Sequence, residues 1–96
     1  MFAISYYPDV LSHDLAGVNR DIRDRLKSAI ENRLMTHPHD YGKPLRGELR
    51  NLWSLRTGDC RIIYQIHKDL VVIIRIAHRK DAYKAGIIEA RLKGLI

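Results

Sequence analysis

Ninety-six residues carrying 17 Lys/Arg, 11 Asp/Glu, a net charge of +6 and one cysteine suit one small basic domain, because a chain of this length builds a modest core and not a second one. The lone Cys60 excludes an internal disulfide and a cysteine-based zinc site, and the N-terminal MFAISYYPDV lacks the apolar centre of a signal peptide, so a reducing, cytoplasmic setting is expected. No apolar run approaches the roughly 20 residues that span a bilayer, and no membrane partner is expected.

In chain order, FAISYY (Phe2–Tyr7) is short, aromatic and closed by Pro8, which predicts a first strand ending in a turn. Asp9 to Gly17 predicts a brief helix with Val10, Leu11 and Leu15 on its apolar side. Val18, Ile22, Leu26, Ile30 and Leu34 then recur every four residues with Ala29 beside them, the stripe of an amphipathic helix. It should stop near Thr36, because Pro38 disfavours helical dihedrals at His37 and cannot extend the hydrogen-bond ladder.

HPHDYGKPLRGEL (His37–Leu49), with two prolines and two glycines, reads as a structured loop. Three strands are predicted next. LRNLWSLR and CRIIYQIH alternate around the turn TGD, and after Lys68 and Asp69 comes LVVIIRIAH, apolar enough on both faces to be the central strand of an antiparallel meander. Ala85, Ile88, Leu92 and Leu95 or Ile96 predict a last helix, in which Gly86 would cost about 1 kcal/mol. The expected fold is α+β, β-α-(α)-β-β-β-α: an antiparallel sheet of about four strands with helices on one face and the other face free for function.

Charge is unevenly spread. Residues 1–41 hold five Lys/Arg against six Asp/Glu, and residues 42–96 hold twelve against five, so a polyanion such as nucleic acid should meet the surface built by the second part. Arg61 lies inside a strand, between Cys60 and Ile62. It is either a stem lying over apolar surface with its head in water or a fixed cation aimed at a phosphate, and Arg56 could converge on the same patch with Arg50 and Arg75 nearby. His78 stands at a strand end in the company of Arg79, Lys80 and Tyr83. An imidazole can exchange a proton near neutral pH, and a tyrosine hydroxyl can orient an oxygen or donate. These groups suit attack of an RNA 2′-hydroxyl on the adjacent phosphate, with no metal-ligand spacing such as HExxH and no cofactor expected. Cys60 alternates toward the apolar face and is not expected to act as a nucleophile.

GKPLRGEL, LWSLRTGDCRIIYQI and VVIIRIAHRKDAYK, in this order and spacing, resemble the RelE/ParE superfamily of bacterial toxins, and its RelE branch more closely. The resemblance implies a single RelE-like toxin domain over 1–96, the toxin of a type II toxin–antitoxin module that enters the ribosomal A site and cuts mRNA. It implies Arg61 on the scissile phosphate and His78, Arg79 and Tyr83 as the catalytic company. Arg56, Arg50, Lys43, Arg46, Lys80 and Lys84 form the RNA- and ribosome-binding set. The best-known RelE nucleases carry two strand lysines, one the general base, where this chain has Leu52 and Ser54; the base is then expected to be His78. Implied partners are mRNA, the ribosome and a cognate antitoxin forming a hetero-oligomer. The alternatives are a ParE-like DNA gyrase inhibitor without ribonuclease activity and a non-toxic antitoxin-binding protein.

Overall fold

The computed structural model describes residues 1–84 and 86–95. Strand β1 (Ala3–Tyr6) leads into one turn of π-helix (Val10–Asp14), helix α1 (Arg20–Ala29), a second π turn (Ile30–Leu34) and helix α2 (Pro38–Tyr41). Strand β2 (Lys43–Pro44) and a 3-10 turn (Gly47–Leu49) precede strands β3 (Trp53–Thr57), β4 (Cys60–His67) and β5 (Leu70–His78), and helix α3 (Ile87–Lys93) comes last.

Helix α1 starts where Asn19 can cap it, its Oδ1 accepting the Asp21 N–H at 2.7 Å. Of the period-four stripe, Leu26, Ile30 and Leu34 are buried with Ala29, whereas Ile22 is 40% exposed and Val18 falls before the cap. The helical path stops as expected. Thr36 bonds back to the Asn32 carbonyl, and Pro38 occupies the first turn of α2, where its missing N–H costs nothing. In the earlier segment Val10 is buried, but Leu11, expected on the apolar side, is 59% exposed. In α3, Gly86 is the N-cap with φ 87°, so it does not weaken the helix interior. The expected contributions of Ala85 and Ile96 lie outside the described residues.

The α+β class is the expected one, with differences in the sheet. Its order is β1-β5-β4-β3-β2, five strands rather than four, and β4 rather than β5 is central. It is also mixed. The chain crosses through α1 from the β1 edge to the far edge, and the meander runs back until β5 meets β1 in parallel. Two-residue turns close both hairpins: Gly58 and Asp59, with Gly58 at φ 59°, and Lys68 and Asp69.

Both faces of the sheet are covered. Leu55, Ile62, Tyr64, Val71, Ile73 and Ile76 pack against Val10, Leu26, Ile30 and Leu34. On the opposite face Leu52, Ile63 and Ile74 pack against Ile88, with Leu49, Val72 and Leu92 around them. The expectation of helices on one face is therefore corrected, because β4 and β5 are apolar on both sides and α3 shields the second side.

A bulge in β5 organises this division. Ile62 pairs with Ile76 and Ile63 with Arg75, but Tyr64 pairs with Ile73, leaving Ile74 as an extra residue. One extra residue inverts the side-chain alternation beyond it. Val71 and Ile73 point toward α1, and past the bulge Ile76 does. An unbroken alternation would have driven Arg75 into the core under α1.

Beyond Ile73 the outer edge of β5 has lost its neighbour, since β1 ends opposite that residue. Asp14 and Arg91 take over. Asp14 Oδ2 accepts the Ile76 N–H at 2.9 Å, and Arg91 Nη1 donates to the Ile74 carbonyl at 3.0 Å. The two side chains meet through a pair of hydrogen bonds of 2.6 and 2.8 Å. Burial alone would raise the Asp14 carboxyl, but the bonds from Arg91 and Ile76 and the charge of Arg91 outweigh it and hold it below its ordinary value.

Candidate nucleic-acid interface

β2 covers only Trp53 and Ser54 of β3. Beside the uncovered remainder of that strand lies an open groove of about 540 Å³, lined by Arg33, Tyr41, Lys43, Pro44, Leu45, Arg46, Ser54, Leu55, Arg56, Arg61 and Tyr83. Five of these side chains are cationic and none is acidic. Arg56 and Arg61 are direct cross-strand partners, and like charges placed so disfavour the fold. The half-buried Arg61 donates one bond to the Cys60 carbonyl at 3.1 Å, which fixes its stem and leaves further donors of the planar guanidinium to reach a phosphate.

Tyr83 reaches the groove from the turn after β5. That turn is held from beneath: Ala82 is fully buried, and Arg75, itself 6% exposed, donates from Nη2 to the Asp81 carbonyl at 2.7 Å. Asp81 N–H in turn donates to the His78 carbonyl at 2.8 Å. Arg75, expected to add positive field to the patch, instead supports the turn.

Of the candidates from the sequence, the groove gathers Arg61, Tyr83, Arg56, Lys43 and Arg46. Arg79, Lys80 and Lys84 are exposed on the turn after β5 but do not line it, and Arg50 is exposed beyond the 3-10 turn, bonded to the Gly47 carbonyl. His78 is not brought to Arg61. It pairs with Cys60 and lines a separate hollow with Ile22, Leu26, Thr57 and Cys60, on the α1 side of the sheet. The bulge is the reason. With regular alternation His78 would share a face with Ile74 and lie on the side of Arg61; the extra residue turns it over. Its Nδ1 accepts the Lys80 N–H at 3.1 Å, so the neutral ring carries its proton on Nε2.

Leu52, one of the two positions where the best-known RelE nucleases carry a lysine, is 2% exposed beneath α3, a place that suits a leucine and would strand a cation. Burial first, with the negative charge of Asp59, pushes the Cys60 thiol up, which keeps it protonated and unsuited to attack.

Two groove residues escape a sequence reading, Arg33 and Tyr41, both from the half without excess charge. Tyr41 is 53% exposed and belongs to no apolar stripe, which was its one signal. Its mounting is firm. Next to it, Gly42 lies so close to Tyr64 that a Cβ would overlap the phenol oxygen, and that buried hydroxyl donates to the Pro38 carbonyl at 2.6 Å. Burial pushes the Tyr64 hydroxyl far above its ordinary range, so it remains a donor.

Among the described residues no helix is long and apolar enough to cross a membrane. Residues 8–83 match the family described as ParE toxin of type II toxin-antitoxin system, parDE. Toxin RelE of Mycobacterium tuberculosis is 46% identical over 55 residues, covering 53% of this chain and 55% of that protein. Toxin RelG of the same organism is 43% identical over 53 residues, covering 53% and 61%. The chain thus spans little more than half the length of these curated relatives. A chain of the M. tuberculosis RelBE2 toxin–antitoxin complex superposes with a TM-score of 0.75 at 30% identity, covering 81% of this chain and 98% of that one. For the RelB–RelE antitoxin–toxin complex of Methanococcus jannaschii the values are 0.64, 25%, 80% and 92%. The isolated E. coli RelE toxin shares the fold at 17% identity, with a TM-score of 0.67 over the full length of both chains. Matched in sequence from residue 8 to 83 and in fold over most of its length, the chain belongs to the RelE/ParE superfamily of type II toxin–antitoxin toxins and is RelE-like within it.

Proposed function

We propose that this protein is a metal-independent, ribosome-dependent endoribonuclease that cuts mRNA in the A site and arrests translation. The observation that carries the reading is the groove where Arg56 and Arg61 face each other with no acid to neutralise them and with Tyr83 at the same surface. An RNA phosphate between the two guanidinium groups relieves their repulsion. As the 2′-oxygen attacks phosphorus and the 5′-oxygen departs, negative charge grows on the phosphate oxygens, and fixed cations favour that state over the ground state. The 2′-hydroxyl passes its proton to solvent water as its oxygen bonds to phosphorus, the P–O5′ bond breaks and the leaving oxygen takes a proton from Tyr83 that water then restores, producing a 2′,3′-cyclic phosphate and a 5′-hydroxyl end. The Tyr83 hydroxyl is the groove's proton-handling group, orienting or protonating the leaving oxygen.

His78 takes a different part from the one its sequence position suggests. Facing the Cys60 side, it does not act as base within the groove; it lies beside Arg79 and Lys80, the cationic tip that meets ribosomal RNA. The partner that silences the toxin is a cognate antitoxin laid over the basic groove, as the relatives' RelBE complexes suggest.

The test is induction in bacteria without an antitoxin, with mRNA 5′ ends mapped across translated messages. Cuts in frame within codons are expected. Arg61→Ala and Tyr83→Phe should each reduce cleavage at least about a hundredfold, whereas His78→Ala should stay within about tenfold, less than a general base is worth. Arrest with intact mRNA and signs of DNA damage would overturn the nuclease in favour of gyrase inhibition; no arrest at all would leave a non-toxic binding protein.

A further inference from the structure

The proton-handling and phosphate-binding residues of the groove come from the second half of the chain, yet Tyr41 and Arg33 line it as well, and that chemistry has no use for them. Resting on the RNA reading above, we propose that Tyr41, backed by Arg33, is a stacking platform for one unpaired nucleobase of the RNA whose phosphate sits on Arg56 and Arg61.

Tyr41 does not behave as a core aromatic. Trp53 and Tyr64 stack on each other inside the fold, with centroids 6.5 Å apart, whereas Tyr41 stands apart from both hydrophobic clusters with 53% of its surface exposed. The ring is nevertheless held in place. The Arg33 guanidinium carbon lies 5.9 Å from its centroid, and His37 meets it edge to face at 6.2 Å. The backbone beneath is pinned at both ends of α2, by the Tyr64–Pro38 bond and by the close approach of Gly42 to the same phenol.

A rigid, exposed aromatic ring beside cations is the arrangement that binds single-stranded nucleic acid, with phosphates on the cations and a base on the ring. An acidic peptide would use the arginines but gain little from the ring. A duplex would offer no free base face. The expected ligand is therefore single-stranded RNA with an unstacked base next to the bound phosphate.

Programmed ribosomes carrying 2-aminopurine at successive positions of the A-site codon test this with the full chain. At one position the wild-type protein should quench the fluorescence, and Tyr41→Leu should abolish the quenching and lower kcat/KM for cleavage about tenfold. Tyr41→Phe keeps the ring and should retain the quenching. Because Tyr41 is exposed, Tyr41→Leu should melt at the wild-type temperature. If Tyr41→Leu cleaves and quenches like wild type while Arg61→Ala is inactive, the platform is overturned and the nuclease reading stands. A Tyr41→Phe variant as impaired as Tyr41→Leu would overturn it too, since the hydroxyl and not the ring would then matter. A wild-type protein that neither quenches nor cleaves on programmed ribosomes would overturn both readings.

Discussion

Arg56 and Arg61, opposed across β3 and β4, set two like charges together at a cost to the fold. Like charges directly opposite on neighbouring strands cost roughly 0.2–1 kcal/mol, and no groove acid offsets this. Arg56→Gln should therefore stabilise the free protein by about 0.5 kcal/mol, a rise in Tm of roughly 2–4 °C, while weakening RNA cleavage. A thermal melt checks it; an unchanged or lower Tm would mean that the two arginines do not repel each other in the fold. Gly42 is constrained for a different reason. Its backbone is ordinary extended chain, but Tyr64 occupies the space of a Cβ. Gly42→Ala should combine overpacking with loss of the buried Tyr64–Pro38 bond, about 3 kcal/mol in all, which lowers Tm by more than about 10 °C. Adding Tyr64→Phe removes the overlapping oxygen and should recover part of the loss in the same melt; no recovery would place the strain elsewhere.

Among the elements, β4 was legible from end to end because Cys60, Ile62, Tyr64 and Ile66 alternate with Arg61, Gln65 and His67, Ile63 alone breaking the pattern where α3 covers the second face. The extent of β5 was legible and its parity was not. VVIIRIA is apolar at every position but one, so periodicity does not reveal a bulge, and Arg75 was the sole mark of an altered phase. That missing half-step separates His78 from Arg61, and it is why the grouping of Arg56 with Arg61 could be read from sequence and the placement of the imidazole could not. The covering of the second sheet face by α3 was hidden similarly, since a stripe of Ile88 and Leu92 does not say which face it will meet.

The Asp14–Arg91 pair joins elements, and it makes stability depend on acid. With its carboxyl held below the ordinary value of 3.8, Asp14 contributes fully above that value, and the contribution disappears as pH falls through the lower folded value. The wild-type protein should therefore lose stability on acidification below about pH 4, and Asp14→Asn, less stable at neutral pH by about 3 kcal/mol because it leaves Arg91 buried without its charge partner, should lose less over that range. Urea melts from pH 6 to 3 measure both. Parallel losses in the two proteins would assign the acid sensitivity to other carboxylates.

At the scale of the whole molecule, the charge asymmetry located the basic surface but not all of its builders. Lys43, Arg46, Arg56 and Arg61 come from the half with excess charge, while Arg33 and Tyr41 are delivered to the same groove by α2 and the turn after α1. A count along the chain cannot register that convergence, because it depends on how the first half folds back over β3. The clasp at the β5 edge carries a consequence for the time course of folding. Its partners are 77 residues apart, so the ordering entropy of a long loop must be met before they can join. Such a bond forms late, after the meander whose hairpins close over two residues. Asp14→Asn should leave the folding rate nearly unchanged and act by hastening unfolding, which makes this pair a determinant of how long each folded toxin molecule lasts rather than of how quickly it is made.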